Sequence, residues 1–430
     1  MDKNLLDALV DERIDHRFKG LSASTYGRTL REVAAEKPSL FDGAFSPPVM
    51  VLRQSALEND VEAMARYCND HGVLLAPHGK TTLAPQLWAR QLDRGAWGIT
   101  VATPAQAAIC RAFGVRRVLL ANELVDTAAI AWVVDELRRD DEFEFVCYVD
   151  SVDGVERISA AAGVGEGRGV DVLVEIGFEG GRTGCRTTQA AIEVATAAAA
   201  APGVTVVGVA GYEGGIGHEI TAEVLKAVRA FLGRIRETAS EFVARNLVSI
   251  APDGLILTAG GSTFFDDVVD VLSPALPDGT PVRCVVRAGS YVTHDTHLYE
   301  VRSPFTRPGA DPRWHLLAAI EIWSQVWSTP EPGLALVGMG KRDAAFDEGM
   351  PLPQQLFRSA ATGRTDVSSY TISNLNDQHG YLQFPPGADV RVGDWLGCGI
   401  NHPCTQFDKW HVIPVVDDDY RVVDFVRTFF

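Results

Sequence analysis

Val73-Leu74-Leu75-Ala76-Pro77-His78-Gly79-Lys80-Thr81 joins a short apolar run to a glycine turn, and a helix-like segment from Leu83 to Arg94 follows. A buried strand that enters a helix through such a turn is the repeating unit of α/β folds. The alternation continues down the chain. Strand-like runs are Val73 to Ala76, Gly98 to Ala102, Arg117 to Ala121, Glu144 to Val149, Val172 to Ile176, Val204 to Ala210, Leu255 to Thr258 and Arg283 to Arg287. Helix-like stretches separate most of them, among them Pro104 to Phe113, Ala128 to Arg138, Thr188 to Ala200 and Glu219 to Arg245. Eight such strands predict a parallel (β/α)8 TIM barrel. A doubly wound open sheet would favour a Gly-rich dinucleotide fingerprint after the first strand, and none is present there.

After Tyr291 the texture changes. Helical periodicity gives way to Pro, Gly, Trp and short alternating segments such as Tyr370-Thr371-Ile372-Ser373 and Val412-Ile413-Pro414-Val415. These predict a C-terminal antiparallel β domain. The expected division is 1–45 as an N-terminal segment packing with the β domain, 46–295 as the barrel and 296–430 as the β domain. Val49-Met50-Val51-Leu52 is expected to open the barrel unit.

Composition bounds the function. The 430 residues carry 39 basic and 56 acidic side chains, a formal net charge of −17. That balance argues against nucleic acid and anionic membrane as partners. Seven scattered cysteines without a close C-x-x-C pair read as reduced thiols of a cytoplasmic protein. No export signal is visible at the start, and the Ala-rich tract 195–201 is closed by Pro202, so it reads as a packed helix end.

In a β/α barrel, functional residues gather at the C-terminal ends of the strands. Lys80 falls just past the first strand. Enclosure there lowers an amine's pKa toward neutrality, the condition for attack on an aldehyde such as pyridoxal phosphate. Ala259-Gly260-Gly261-Ser262-Thr263 follows the seventh strand and Arg287-Ala288-Gly289-Ser290-Tyr291 the eighth. Glycines let backbone N–H groups approach an anion closely, and barrels commonly hold phosphate at these two loops.

His402 and Cys404, in Gly399-Ile400-Asn401-His402-Pro403-Cys404-Thr405, stand two residues apart on what reads as a strand, which directs both to one face. Mixed nitrogen and sulfur donors suit zinc better than magnesium or manganese, although other divalent metals remain open. Without a ligand, the pair reads as a buried cysteine beside a hydrogen-bonded histidine.

Together with Gly181-Arg182-Thr183-Gly184, these motifs in this order resemble the alanine-racemase-like, fold-type III pyridoxal-phosphate enzymes. The segment around His402 resembles the D-serine dehydratase and D-threonine aldolase branch. The resemblance implies that Lys80 carries the cofactor and removes the Cα proton, and that Arg182 lies near the cofactor's phenolic oxygen. It assigns Gly261, Ser262, Gly289 and Ser290 to the phosphate, Arg287 to the pyridine nitrogen, Tyr212 to the ring and Thr263 to the cofactor site. His379, in Asn376-Asp377-Gln378-His379-Gly380, is a further catalytic candidate, although relatives commonly carry two acidic residues where Asp377 and Gln378 stand. His294 and His297 read as ordinary polar residues; His218 and Trp323 have no assigned role.

The implied activity is PLP- and metal-dependent dehydration and deamination of a D-3-hydroxy amino acid such as D-serine, giving a 2-oxo acid and ammonia. A D-threonine or 3-hydroxy-D-aspartate aldolase is the alternative. A non-catalytic PLP carrier, which lacks a β domain, is the reading from a different class. A homodimer is implied by the resemblance alone.

Overall fold

The computed structural model describes residues 1–163, 167–217 and 219–430, so His218 lies outside the described residues. Eight parallel strands run in the order expected of the barrel: β2 (Leu74–Leu75), β3 (Ile99–Val101), β4 (Arg117–Glu123), β5 (Glu144–Val149), β6 (Val170–Ile176), β7 (Val204–Gly211), β8 (Leu255–Ala259) and β9 (Val282–Val286). Each pairs with its neighbour and β2 pairs with β9. The remaining seam is closed by hydrogen bonds from Trp97 N–H to Leu75 O at 2.7 Å and from Thr100 N–H to Pro77 O at 3.0 Å. The strands expected from sequence coincide with these to within a few residues.

Side chains alternate across each strand, so a closed sheet has a packed interior and a helix-covered exterior. Leu119, Val146, Tyr148, Leu173, Ala210, Ile256 and Val285 fill the interior. Val101, Val118, Val172, Val209 and Leu257 pack outward against helices. Burying one such side chain stabilises the fold by roughly 1.5–3 kcal/mol. The helices start where a side chain satisfies their first amides: Thr103 accepts from Gln106 N–H, Asp126 from Ala129, Ser151 from Gly154 and Thr187 from Ala190.

A second, ten-stranded sheet is mainly antiparallel. It comprises β1 (Val49–Arg53), β10 (Ile320–Glu331), β11 (Leu334–Val337), β12 (Leu352–Ser359), β13 (Gly363–Asp366), β14 (Thr371–Leu375), β15 (Gly380–Gln383), β16 (Trp395–Gly399), β17 (Val412–Val416) and β18 (Val422–Arg427). Here the reading of Val49–Leu52 as the opening of the barrel is corrected. β1 is antiparallel to β10, with Val49 opposite Trp323, and parallel to β17. A continuous apolar run suits the centre of either sheet, and this one is buried on both faces. Ile14, Phe18, Leu21, Leu30 and Phe45 share a core with Val49, Trp323 and Phe425, so the N-terminal segment packs on the same sheet. Among the described residues, no helix is long and apolar enough to cross a membrane, and all seven cysteines are free.

Candidate active site at the barrel mouth

A cavity of about 400 Å³ opens at the C-terminal ends of the barrel strands. Its wall includes Lys80, Arg182, Tyr212, Gly261, Ser262, Thr263, Arg287, Gly289, Ser290, His402 and Cys404, so eleven of the twelve candidate residues meet in one chamber. His379 does not. It is exposed on the turn between β14 and β15, with its ring edge-on to Trp327 at 5.4 Å. In the single chain that hairpin holds it away from this mouth.

Lys80 follows the end of β2 and is half-buried. Burial is the main influence that pulls its pKa down; the Arg182 and Arg287 charges add to this, against an opposing pull from Cys404. The neighbouring His78 is held neutral, its pKa well below the ordinary value through burial and the same cationic surroundings. Arg287 donates to Thr258 Oγ1 at 2.5 Å and to Gly211 O at 2.8 Å, which fixes its guanidinium at the top of the barrel interior. Gly289 has no room for a side chain: a Cβ there would lie 2.5 Å from His78 O. The loop after β9 is thereby held against the turn that bears Lys80.

Arg182 lies with its guanidinium 4.2 Å from the Tyr212 ring centroid, a cation–π contact. Its loop is braced from below by Arg186, which donates to Thr183 O and Gly184 O, both at 2.8 Å. Gly260 has φ +130°, open to glycine, and delivers the Gly261 amide to the buried Glu213 carboxylate at 3.0 Å. Gly261 N–H is therefore occupied within the protein, which leaves Ser262, Thr263, Gly289 and Ser290 as the phosphate side of the candidate set.

His402 and Cys404 reach the mouth by a different route from the one expected. They lie on no strand: His402 caps the short helix Pro403–Phe407, and Cys404 is in its first turn. Pro403 has no N–H to give a ladder and suits a helix start, which explains the difference. His402 Nδ1 meets Asp347 Oδ2 at 2.6 Å, and Thr405 Oγ1 donates to Asp347 Oδ1 at 2.7 Å. Cys404 Sγ lies 3.3 Å from Thr81 Oγ1 and 3.8 Å from Ser290 Oγ, joining the β domain to the Lys80 turn. Burial pushes the Cys404 thiol up, but His402, Thr81 and Lys80 together bring it below its ordinary value. Burial pushes His402 down, and Cys404 and Asp347 outweigh it, raising the imidazole to about 9.

The chamber fits both groups that the sequence implies. Its volume and glycine-lined wall suit a planar phosphate-bearing cofactor. His78 Nδ1, Arg287 Nε and Tyr148 Oη are buried there without partners among the described residues. A carboxylate behind a histidine, with a thiol of lowered pKa beside it, is a donor set for a borderline-soft divalent metal. Sequence reasoning passed over Asp347, Glu213 and Glu175, single carboxylates with no motif around them.

This architecture defines an alanine-racemase-like barrel protein with an added β domain. The family described as "Alanine racemase, N-terminal domain" matches residues 52–251, and "Putative serine dehydratase domain" matches residues 319–416. Residues 52–251 thus carry an alanine racemase N-terminal domain and residues 319–416 a serine dehydratase-type domain, in that order along the chain. A 3-hydroxy-D-aspartate aldolase of Paracoccus denitrificans (strain Pd 1222) is 27% identical over 379 residues, 87% of this chain and 90% of the relative. The structure of a D-threonine aldolase from Filomicrobium marinum superposes with a TM-score of 0.75 at 21% identity, over 90% of this chain and 95% of that one. That of a D-threo-3-hydroxyaspartate dehydratase, a cysteine-to-alanine mutant in the metal-free form, gives 0.70 at 21% identity, over 91% and 99%.

Proposed function

We propose that this chain is a pyridoxal-phosphate- and metal-dependent lyase that eliminates water across Cα–Cβ of a D-3-hydroxy amino acid of the D-serine type, after which water hydrolyses the released enamine to a 2-oxo acid and ammonia. The observation that carries the reading is the convergence of the Lys80 turn and the His402–Cys404 pair on one chamber, with Thr81 in contact with Cys404.

Lys80, Arg182, Tyr212, Ser262, Thr263, Arg287, Gly289 and Ser290 would hold the cofactor, which supplies a sink for the electron pair released at Cα. His402 and Cys404 would hold the metal, zinc by donor type, which supplies Lewis acidity toward a hydroxyl. Burial, with two nearby guanidinium groups, lowers the Lys80 pKa against the pull of Cys404, which favours an amine that would accept the Cα proton. Neutral His78 adds no competing charge beneath it. Proton removal thus belongs to the barrel, and the departing β-substituent to the β-domain side. The β domain's share in the chamber argues against a bare cofactor carrier.

A retro-aldol outcome has its own support, since relatives of this chain are named as aldolases. Against it stands Cys404, a softer donor than a carboxylate beside His402. Product identity separates the two. The purified protein, mixed with D-serine and with D-threonine, should yield pyruvate from D-serine; glycine with acetaldehyde from D-threonine would assign the aldolase.

A further inference from the structure

Across the mouth from His402 and Cys404, three carboxylates converge where β4, β5 and β6 end. Glu123 ends β4, Asp150 directly follows β5, and Glu175 on β6 stands one alternation beyond the interior Leu173. One oxygen of each lies within 4.8 Å of the others. An ion at 2.0–2.6 Å from each oxygen spans such separations.

Both Glu123 carboxylate oxygens and Glu175 Oε2 are shut off from solvent and receive no hydrogen-bond donor among the described residues. Glu175 is 5% exposed. Tyr148, 2% exposed, stands in register with Glu123 and two residues before Asp150 on the inward face of β5, and its hydroxyl is equally without a partner. Buried oxygens in this condition call for a ligand, and a cation would offset the repulsion among three carboxylates at this range.

We propose that Glu123, Asp150 and Glu175 bind a hard divalent cation of the magnesium, manganese or calcium kind, at a site separate from His402 and Cys404. Its donors are all oxygen, which selects against the softer metals that a thiolate favours. Glu175 lines the cavity, so the ion has a path of entry. Asp150 Oδ2 also accepts from Gly184 N–H at 2.9 Å. The cation therefore fastens the loop that carries Arg182 to three strand ends, and the mouth holds one soft and one hard metal.

The test is manganese uptake by the chelator-treated, cofactor-loaded full chain, followed by the loss of the free-ion electron paramagnetic resonance signal. The His402→Ala, Cys404→Ala double variant should still bind one Mn²⁺ per chain. The Glu123→Gln, Asp150→Asn double variant should bind one fewer than wild type. No uptake by the first, or unchanged uptake by the second, overturns the site and leaves the carboxylates sharing protons. If the second variant does not fold, terbium titration of the zinc-loaded wild type decides. Tyrosine-sensitised emission that Mg²⁺ displaces and Tyr148→Phe weakens supports the site; emission unaffected by both contradicts it.

Discussion

In the barrel, the side chains at the mouth follow the ends of parallel strands held by the sheet; in the β domain, His402 and Cys404 reach the same mouth from the start of one short helix. Arg287 is tied to Thr258 and Gly211 within the barrel itself. Cys404 reaches the site across the domain joint, against Thr81 and Ser290, and His402 depends on Asp347. The half of the mouth proposed to hold the cofactor is therefore built into a rigid scaffold, whereas the half proposed to hold the metal exists only when the two domains are docked. Two properties follow that should separate experimentally, the bound chromophore and the metal-dependent turnover.

The largest effect is expected at Lys80. Lys80→Ala should remove the cofactor's absorbance band and lower turnover by roughly 10³-fold or more, since it deletes both the amine nucleophile and the base. An active variant would break the assignment of the barrel half. His402→Ala or Cys404→Ala should lower turnover by about 10²-fold or more through the loss of the metal, yet keep the absorbance band. Loss of the band as well would erase the distinction between the halves. Asp347→Asn is expected to weaken metal affinity about 10–100-fold, because the carboxylate orients the ligating imidazole; competition with a chromophoric chelator measures it.

A last effect, on stability and not on turnover, concerns the joint between the domains. Asp60, fully buried on the helix Gln54–Asp70, accepts from Leu317 N–H at 2.7 Å just before β10, and Asn59 donates to it at 3.0 Å. Burial outweighs these bonds and raises its carboxyl to about 8 from an ordinary 3.8. The folded chain then keeps a proton that the unfolded chain releases above about pH 4. Stability should fall as pH rises between those two values, by at most about 1.4 kcal/mol per pH unit, and level off above. Asp60→Asn should flatten that slope in denaturant titrations; an unchanged slope would remove Asp60 from the joint's energetics.

The two halves also differed in how far their sequence could be read. Barrel strands announce themselves as apolar runs between helical periods, and a functional turn directly follows its strand, so Lys80, Gly289 and Arg287 were legible from local pattern. Val49–Arg53 was not, because an apolar run carries no mark of which sheet will bury it. His402 and Cys404 were found as a pair, but on the wrong element, since Pro403 turns the segment into a helix. Asp347 lies 55 residues before His402, and Glu123, Asp150 and Glu175 come from three separate strand ends. Only closure of the barrel and docking of the β domain bring such residues together. His379 has the local pattern of a site residue, yet its hairpin points elsewhere.

The most direct test is to treat the holoprotein with a chelator while recording both its absorbance and its turnover of D-serine. The division of labour proposed for the mouth requires that turnover stops, that zinc restores it and that the chromophore stays bound throughout. Turnover that survives complete removal of metal, or a chromophore that leaves with the metal, would contradict it.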